Sequence, residues 1–232
     1  WNQKPQPVFH TEDILIQTPA CALPARLYQP FETCVSDAVL IYAHGGGWTF
    51  GAVESHDSAV RRLSLACGFR VLSVDYRLAP EHAFPAAHID LMETIAFVEN
   101  GGLGQAVSAS SIALAGDSAG ANLALGALLG RYVRGLPQLA TAALFYGCYA
   151  PDHETASHRR FGDGSYLLST ERMKWFWSNF LGVEPLEDPG LAAPLYASDD
   201  ALAGLPPLYL NAAGLDPLLD DTLLLTTRLA HV

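Results

Sequence analysis

From Asp37 onward the chain alternates short apolar runs with helical patterns, and this alternation constrains its fold more than any other feature. The run Ala38-Val39-Leu40-Ile41-Tyr42 is continuously apolar, which is typical of a strand covered on both faces. Strands are predicted at 37–43, 69–74, 112–115, 139–146 and 208–212, and helices at 55–66, 85–98, 119–133 and 217–229. The pattern predicts an α/β fold, with a mostly parallel sheet and helices on both faces.

Two parts of the chain depart from this rhythm. The alternating runs 13–17 and 22–28 predict half-buried antiparallel strands at the start. Residues 151–200 hold many His, Asp, Pro and Gly residues around one aromatic helix, 170–181. We therefore expect a small helical cap or lid at 151–200, inserted between a first core part at 1–150 and a second at 201–232.

A G-x-S-x-G motif, Gly116-Asp117-Ser118-Ala119-Gly120, lies where a predicted strand runs directly into a predicted helix. On such a turn a serine is held in a strained conformation, with its hydroxyl exposed above the edge of the sheet. The following helix N-terminus favours negative charge beside it. The motif alone also occurs in ordinary turns, but its place in the chain predicts that Ser118 is a nucleophile.

A second glycine-rich segment, His44-Gly45-Gly46-Gly47-Trp48, directly follows the strand at 37–43. Its bare backbone amides can approach a substrate and stabilise the oxyanion that forms when an acyl group is attacked. The amide of Ala119, just after the serine, is the expected further donor. We expect the His44 side chain to brace this segment and not to act as a base.

Taken together, five motifs resemble the hormone-sensitive lipase family of carboxylesterases: HGGGW at 44–48, YRLAPE at 76–81, FPAA at 84–87, GDSAG at 116–120 and DPL at 216–218. The resemblance implies an α/β-hydrolase fold with a cap and hydrolysis of short- to medium-chain carboxylic esters. It implies no metal or organic cofactor, and a possible homodimer. Position by position, it makes Ser118 the nucleophile, Asp216 the acid, and Gly46, Gly47 and Ala119 the oxyanion donors, with Gly45 a weaker candidate.

The acid and the base of the expected triad differ in how well the chain provides them. Asp216 follows a predicted strand, whereas Asp220 and Asp221 are weaker substitutes that fit the first turn of a helix. The fold's order is Ser, then Asp, then His, but His231 ends the last helix with no strand before it. The other histidines also fit poorly, and His56 is far along the chain from the motifs. We therefore expect the final strand, the histidine loop and the last helix to be absent from these 232 residues.

The aromatic helix of the expected cap supplies candidates for a substrate pocket. Met173, Phe176 or Trp177, and Phe180 recur at helical spacing, and Trp175 falls off that stripe. Packing of the cap on the core explains the stripe, and an apolar acyl or alcohol pocket lined by Tyr166, Met173 and Trp177 is the functional alternative.

Composition limits the partners. The net charge of −11 makes nucleic-acid binding unfavourable and leaves a small-molecule ester as the expected partner. No apolar run is long enough to span a membrane. Four scattered cysteines without a CxxC motif favour a reducing compartment, and we expect a cytoplasmic protein with no metal site.

Two other functions remain open from the sequence. A hydrolase-like receptor keeps the scaffold and loses a triad member, so a non-catalytic small-molecule binder is one alternative. An amidase or lactonase is the other, because it uses the same acyl-serine chemistry and the same motifs.

Overall fold

The computed structural model describes residues 6–34, 36–183 and 188–232. Seven strands form one sheet: β1 (His10–Gln17), β2 (Ala22–Gln29), β3 (Val39–Ala43), β4 (Arg70–Val74), β5 (Ile112–Asp117), β6 (Thr141–Phe145) and β7 (Leu208–Asn211). The helices are α1 (Val53–Cys67), α2 (Ala86–Glu99), α3 (Ala119–Val133), α4 (Ala156–Phe161), α5 (Thr170–Leu181), α6 (Pro189–Ala192), α7 (Asp199–Ala203) and α8 (Leu219–Leu229). The predicted α/β fold, a mostly parallel sheet with helices on both faces, is confirmed.

The strand order β1-β2-β4-β3-β5-β6-β7 decides where the motifs meet. β1, β2 and β4 pair antiparallel, and the strands from β4 to β7 in that order pair parallel. Parallel strands end at the same edge, so the segments after β3, β5 and β7 come together there. The HGGGW segment, the G-x-S-x-G turn and the Asp216 loop all follow these three strands.

Both faces of the sheet are covered, which explains the continuous apolar run of β3. All five residues of β3 are buried, and successive side chains point to opposite faces. Leu40 and Tyr42 share a cluster with Val60 of α1, whereas Ile41 and Ala43 belong to the larger cluster that includes α2 and α3. Since neither face meets water, every position of the strand has to be apolar or hydrogen-bonded.

In the described part of the segment between β6 and β7 there are four helices, α4 to α7, where the sequence predicted only α5. All four begin at a residue whose side chain accepts a hydrogen bond from the first turn: Thr155, Ser169, Asp188 and Ser198. The helices α4, α6 and α7 are four to six residues long, too short to show a helical period. Residues 184–187 of the expected cap lie outside the described part.

Within residues 6–34, 36–183 and 188–232, none of the helices combines the length and apolarity that crossing a membrane requires.

Candidate active site

Ser118 sits in the strained conformation that the motif predicts. Its φ of 52° and ψ of −118° lie outside the ordinary regions for a non-glycine residue, and α3 begins at the next residue. The Ser118 amide donates to the Phe145 carbonyl of β6 at 2.9 Å, which ties the turn to the neighbouring strand. No hydrogen bond within the described residues engages the Ser118 hydroxyl, so it is free to meet a substrate.

Two glycines let the strand and the helix approach closely enough to form this turn. A Cβ at Gly120 would overlap the Ala43 carbonyl and lie 2.7 Å from the His44 oxygen. A Cβ at Gly116 would lie 2.8 Å from the Ala121 nitrogen. All of these obstacles are backbone atoms, so only glycine fits at either position.

The segment His44–Trp48, the glycine loop, curls over the end of β3 with three consecutive positive φ angles. They are 123° at Gly46, 60° at Gly47 and 56° at Trp48. The amides of Gly46 and Gly47 donate to no acceptor in the described part of the chain, and the Ala119 amide is the free first donor of α3. The three amides predicted as oxyanion donors are thus unpaired.

Gly45 differs from its neighbours in the loop. Its amide donates to Asp117 Oδ1 at 2.9 Å, so it is not available to an oxyanion in this structure. A role of Gly45 as an oxyanion donor stays a prediction, and this hydrogen bond argues against it. Its amide instead ties the loop to the residue that precedes Ser118.

Asp117 is the centre of a polar cluster that the sequence did not reveal. Tyr42 donates its hydroxyl to Asp117 Oδ1 at 2.6 Å, and His56 Nε2 lies 3.7 Å from the same oxygen. Burial opposes ionisation of Asp117, but the nearby His56 imidazole and hydrogen bonds from Tyr42 and the Gly45 amide outweigh it and lower the pKa of the carboxyl. Burial likewise opposes the charged form of His56, yet Asp117 raises the pKa of its imidazole.

His56 was expected to lie far from the motifs, and that expectation is wrong. The first turn of α1 brings it against Asp117, where both residues border a cavity of about 610 Å³ together with Tyr146. The local sequence carries no signal for this contact, because it depends on β3 pairing with β5.

His44 braces the glycine loop, as predicted. Its Nδ1 lies 2.8 Å from the Gly45 carbonyl, and its ring stacks on Tyr76 with centroids 4.3 Å apart. The Tyr76 hydroxyl donates to the His44 carbonyl at 2.7 Å. Burial lowers the pKa of His44 to about 4, so the ring is neutral at pH 7.

Asp216 lies after β7 at the same edge of the sheet as Ser118. One carboxylate oxygen accepts the Leu218 amide at 2.8 Å, the other has no partner within the described residues, and burial raises the pKa. Asp220 accepts the Ser157 amide at 2.8 Å, and Asp221 accepts the Tyr149 amide at 2.6 Å. Both substitutes thus anchor the β6–β7 segment, whereas the Asp216 carboxylate bonds only within its own loop.

The base is the component that these residues do not bring to the site. In the described part of the chain, neither Ser118 nor Asp216 has a hydrogen bond to a histidine. His231 lies at the exposed end of α8 and directs its Nδ1 at the Thr227 carbonyl, 2.6 Å away. This agrees with the prediction that His231 is not the base.

The three pocket candidates lie in different surroundings. Met173 and Trp177 are each 2% exposed and belong to the main core, whereas Tyr166 is 46% exposed and meets Phe161 edge to face. The helical stripe is confirmed as a packing surface, since Phe176 and Phe180 are buried together with Met173 and Trp177, whereas Trp175 is exposed. A role of the three candidates in lining a pocket stays a prediction.

Among residues 6–34, 36–183 and 188–232, no cluster of three or more His, Cys, Asp or Glu side chains is arranged to hold a metal ion.

Comparison with known proteins identifies the family. A family model described as the α/β-hydrolase fold matches residues 40–232. The carboxylic ester hydrolase LipN of Mycobacterium tuberculosis is 36% identical over 94% of this chain, and an acetyl esterase of Salmonella choleraesuis is 31% identical over all of it. The chain spans 59% of the length of LipN and 71% of the acetyl esterase.

Among solved structures, an esterase from the archaeon Pyrobaculum calidifontis superposes with a TM-score of 0.88 at 34% identity. The likeness covers 97% of this chain and 71% of that one. The chain therefore belongs to the α/β-hydrolase family, in the branch that resembles hormone-sensitive lipase.

Proposed function

We propose that this protein is a serine carboxylesterase that hydrolyses short- to medium-chain esters through an acyl-enzyme on Ser118. The observation that carries the proposal is the free Ser118 hydroxyl on a left-handed turn, at the edge of the sheet where the unpaired amides of the glycine loop lie. A binding protein has no use for strained backbone at a serine, whereas a nucleophile does.

The reaction in this proposal is ordinary acyl transfer. A histidine base takes the Ser118 proton as Oγ attacks the ester carbonyl, and the amides of Gly46, Gly47 and Ala119 stabilise the resulting oxyanion. The same histidine then protonates the departing alcohol, which leaves an acyl group on Ser118. Water repeats the attack under the same base, releasing the carboxylic acid and restoring the serine. Asp216 orients the histidine and stabilises its protonated form.

The preference for short acyl groups is supported by the relatives. One is named an acetyl esterase and another a carboxylic ester hydrolase, and both align with nearly the whole of this chain. We further propose that residues 151–200 act as the cap between the two core parts, 1–150 and 201–232. The position of α5 against the glycine loop supports this.

An amidase or a lactonase would use the same residues. The favoured reaction is ester hydrolysis because relatives named as esterases cover this chain almost completely. A non-catalytic binder is less well supported, since it has no need of three unpaired amides beside a strained serine.

We propose a cytoplasmic location because the four cysteines are unpaired, which fits a reducing compartment. A homodimer stays a prediction of the resemblance, and light scattering on the natural protein would test it.

The proposal is tested by hydrolysis of p-nitrophenyl acetate, butyrate and octanoate, with a p-nitroanilide and a lactone assayed in parallel. The protein is used in the length that its source produces. We expect turnover of the short esters, and a loss of at least about 10³-fold in kcat for Ser118→Ala. Asp188→Ala, a helix cap in the β6–β7 segment, is the control and should retain kcat. Preferred turnover of the anilide or lactone would reassign the substrate class, and activity in Ser118→Ala would overturn the proposal.

A further inference from the structure

The glycine loop contains a backbone conformation that needs an external support. Gly47 and Trp48 follow one another with φ angles of 60° and 56°. Glycine adopts this region freely, but in tryptophan the Cβ crowds the backbone. Packing around Trp48 therefore has to hold the loop in place.

That support comes from two residues of α5. The Trp48 side chain is fully buried and stacks parallel on Phe180, with centroids 4.1 Å apart and planes 7° apart. Trp177 packs against the same Trp48 ring, with centroids 4.6 Å apart and planes tilted by 56°. The indole nitrogen of Trp48 has no hydrogen-bond partner among the described residues, so ring packing fixes the side chain.

Phe176, one turn earlier on the same helix, presses on the loop backbone itself. A Cβ at Gly47 would overlap the Phe176 ring and lie 2.5 Å from its Cδ2 atom. Phe176 is only 6% exposed, so its ring has little room to move away. The amide of Phe84 also donates to the Phe180 carbonyl at 2.7 Å, which anchors the end of α5 to the core.

We propose that α5 clamps the oxyanion site, with Phe176 and Phe180 as positioning residues that hold Gly47 and Trp48 in their left-handed conformation. The inference deepens the proposed function and depends on it. Gly47 packs directly against the Phe176 ring of α5, so a shift of α5 moves its amide. The amide of an oxyanion donor has to face the transition state, and small displacements reduce its effect. The helix would therefore set kcat without touching the substrate.

Leucine at either position removes the flat ring and keeps an apolar side chain. For Phe176→Leu and Phe180→Leu in the natural protein, we expect kcat on p-nitrophenyl butyrate to fall at least about 10-fold. A displaced oxyanion donor should cost less than the roughly 10²–10³-fold lost when such a donor is removed. KM should stay within about two-fold, because the interaction acts in the transition state. Affinity for a trifluoromethyl ketone, which forms an oxyanion on the serine, should fall in parallel with kcat. Phe176→Tyr keeps the ring and should retain kcat.

The matched control is Phe161→Leu. Phe161 is a 7% exposed ring of α4 whose aromatic partner is Tyr166 and not the glycine loop. It should lose thermal stability to a similar extent while keeping kcat. If Phe176→Leu and Phe180→Leu match this control in kcat, or change KM alone, the clamp is refuted.

Hydrogen exchange separates a failed clamp from a failed enzyme assignment. The hydrogen-bonded amides of the loop region, those of Gly45, Thr49 and Phe50, should exchange at least about 10-fold faster in Phe176→Leu than in Phe161→Leu, whether or not the protein hydrolyses esters. If the unaltered protein has no esterase activity but the two variants differ in this way, the proposed function fails and the clamp on the loop survives. Equal exchange in the two variants overturns the clamp itself.

Discussion

Alanine at position 120 tests whether the turn at Ser118 depends on direct backbone contact between β3 and α3. The added Cβ would overlap the Ala43 carbonyl and lie 2.7 Å from the His44 oxygen, where real contacts of this kind stay beyond about 3 Å. These atoms belong to the end of β3 and the start of the glycine loop, so neither can rotate away. The helix must shift instead.

Overpacking of this kind costs about 3 kcal/mol in a close-packed interior. For a chain of this length each kcal/mol lowers Tm by about 2–4 °C, so Gly120→Ala should lose about 6–12 °C. Thermal unfolding of the natural protein, followed by circular dichroism, measures this directly. Esterase activity at 25 °C should also fall, because the shift carries Ser118 away from the glycine loop.

Gly214→Ala is the matched control. A Cβ there meets no atom within 4 Å, and its backbone does not require glycine. Its Tm should stay within about 2 °C of the parent, since an unstrained Gly→Ala change is worth less than about 1 kcal/mol. If Gly120→Ala unfolds within the same margin as Gly214→Ala, the argument from close backbone approach is refuted.

Three further predictions follow from the same site and its support. Asp117→Ala should lower kcat at least about 10-fold with little change in KM, because the Gly45 amide loses its acceptor and the oxyanion loop loosens; unchanged kcat in steady-state assays would contradict this. Burial raises the pKa of Asp221 to about 7, so its folded form binds a proton more tightly than its unfolded form. The stability it contributes is therefore present at pH 4 and lost by pH 7. The Tm difference, Asp221→Asn minus the parent, should be more positive at pH 8 than at pH 4.5. A Tm difference that does not change with pH would count against this. In denaturant unfolding, Trp177→Ala should lower the free energy of unfolding by about 3–5 kcal/mol, because its side chain is buried in the core. Tyr166→Ala, at an exposed position, should change it by less than about 0.5 kcal/mol, and equal losses would show that α5 is not part of the core.

The sequence predicted the elements that are long and strongly patterned. Helices 119–133 and 170–181 begin and end where they were expected, and α1 ends at Gly68, which adopts a left-handed φ of 74°. The short helices of the β6–β7 segment were missed, because four to six residues contain little more than one turn.

The parts of the site that consist of consecutive residues could be predicted from the sequence. Ser118 and the glycine loop are contiguous motifs that local sequence reveals. The contact of Asp117 with Tyr42 and His56 depends on the strand order, which brings Ala43 of β3 beside Gly116 of β5. Neighbouring residues do not encode that order, so the cluster and the hydrogen bond of the Gly45 amide to Asp117 could only be seen in the folded chain.

The central claim, that Ser118 is the nucleophile, is tested most directly by covalent labelling. The natural protein is treated with a p-nitrophenyl alkylphosphonate and analysed by intact mass and peptide mapping. The account predicts one phosphonyl group per chain, attached at Ser118, with loss of esterase activity in proportion to labelling and no label in Ser118→Ala. Labelling at another residue, or full activity in a protein labelled at Ser118, would contradict it.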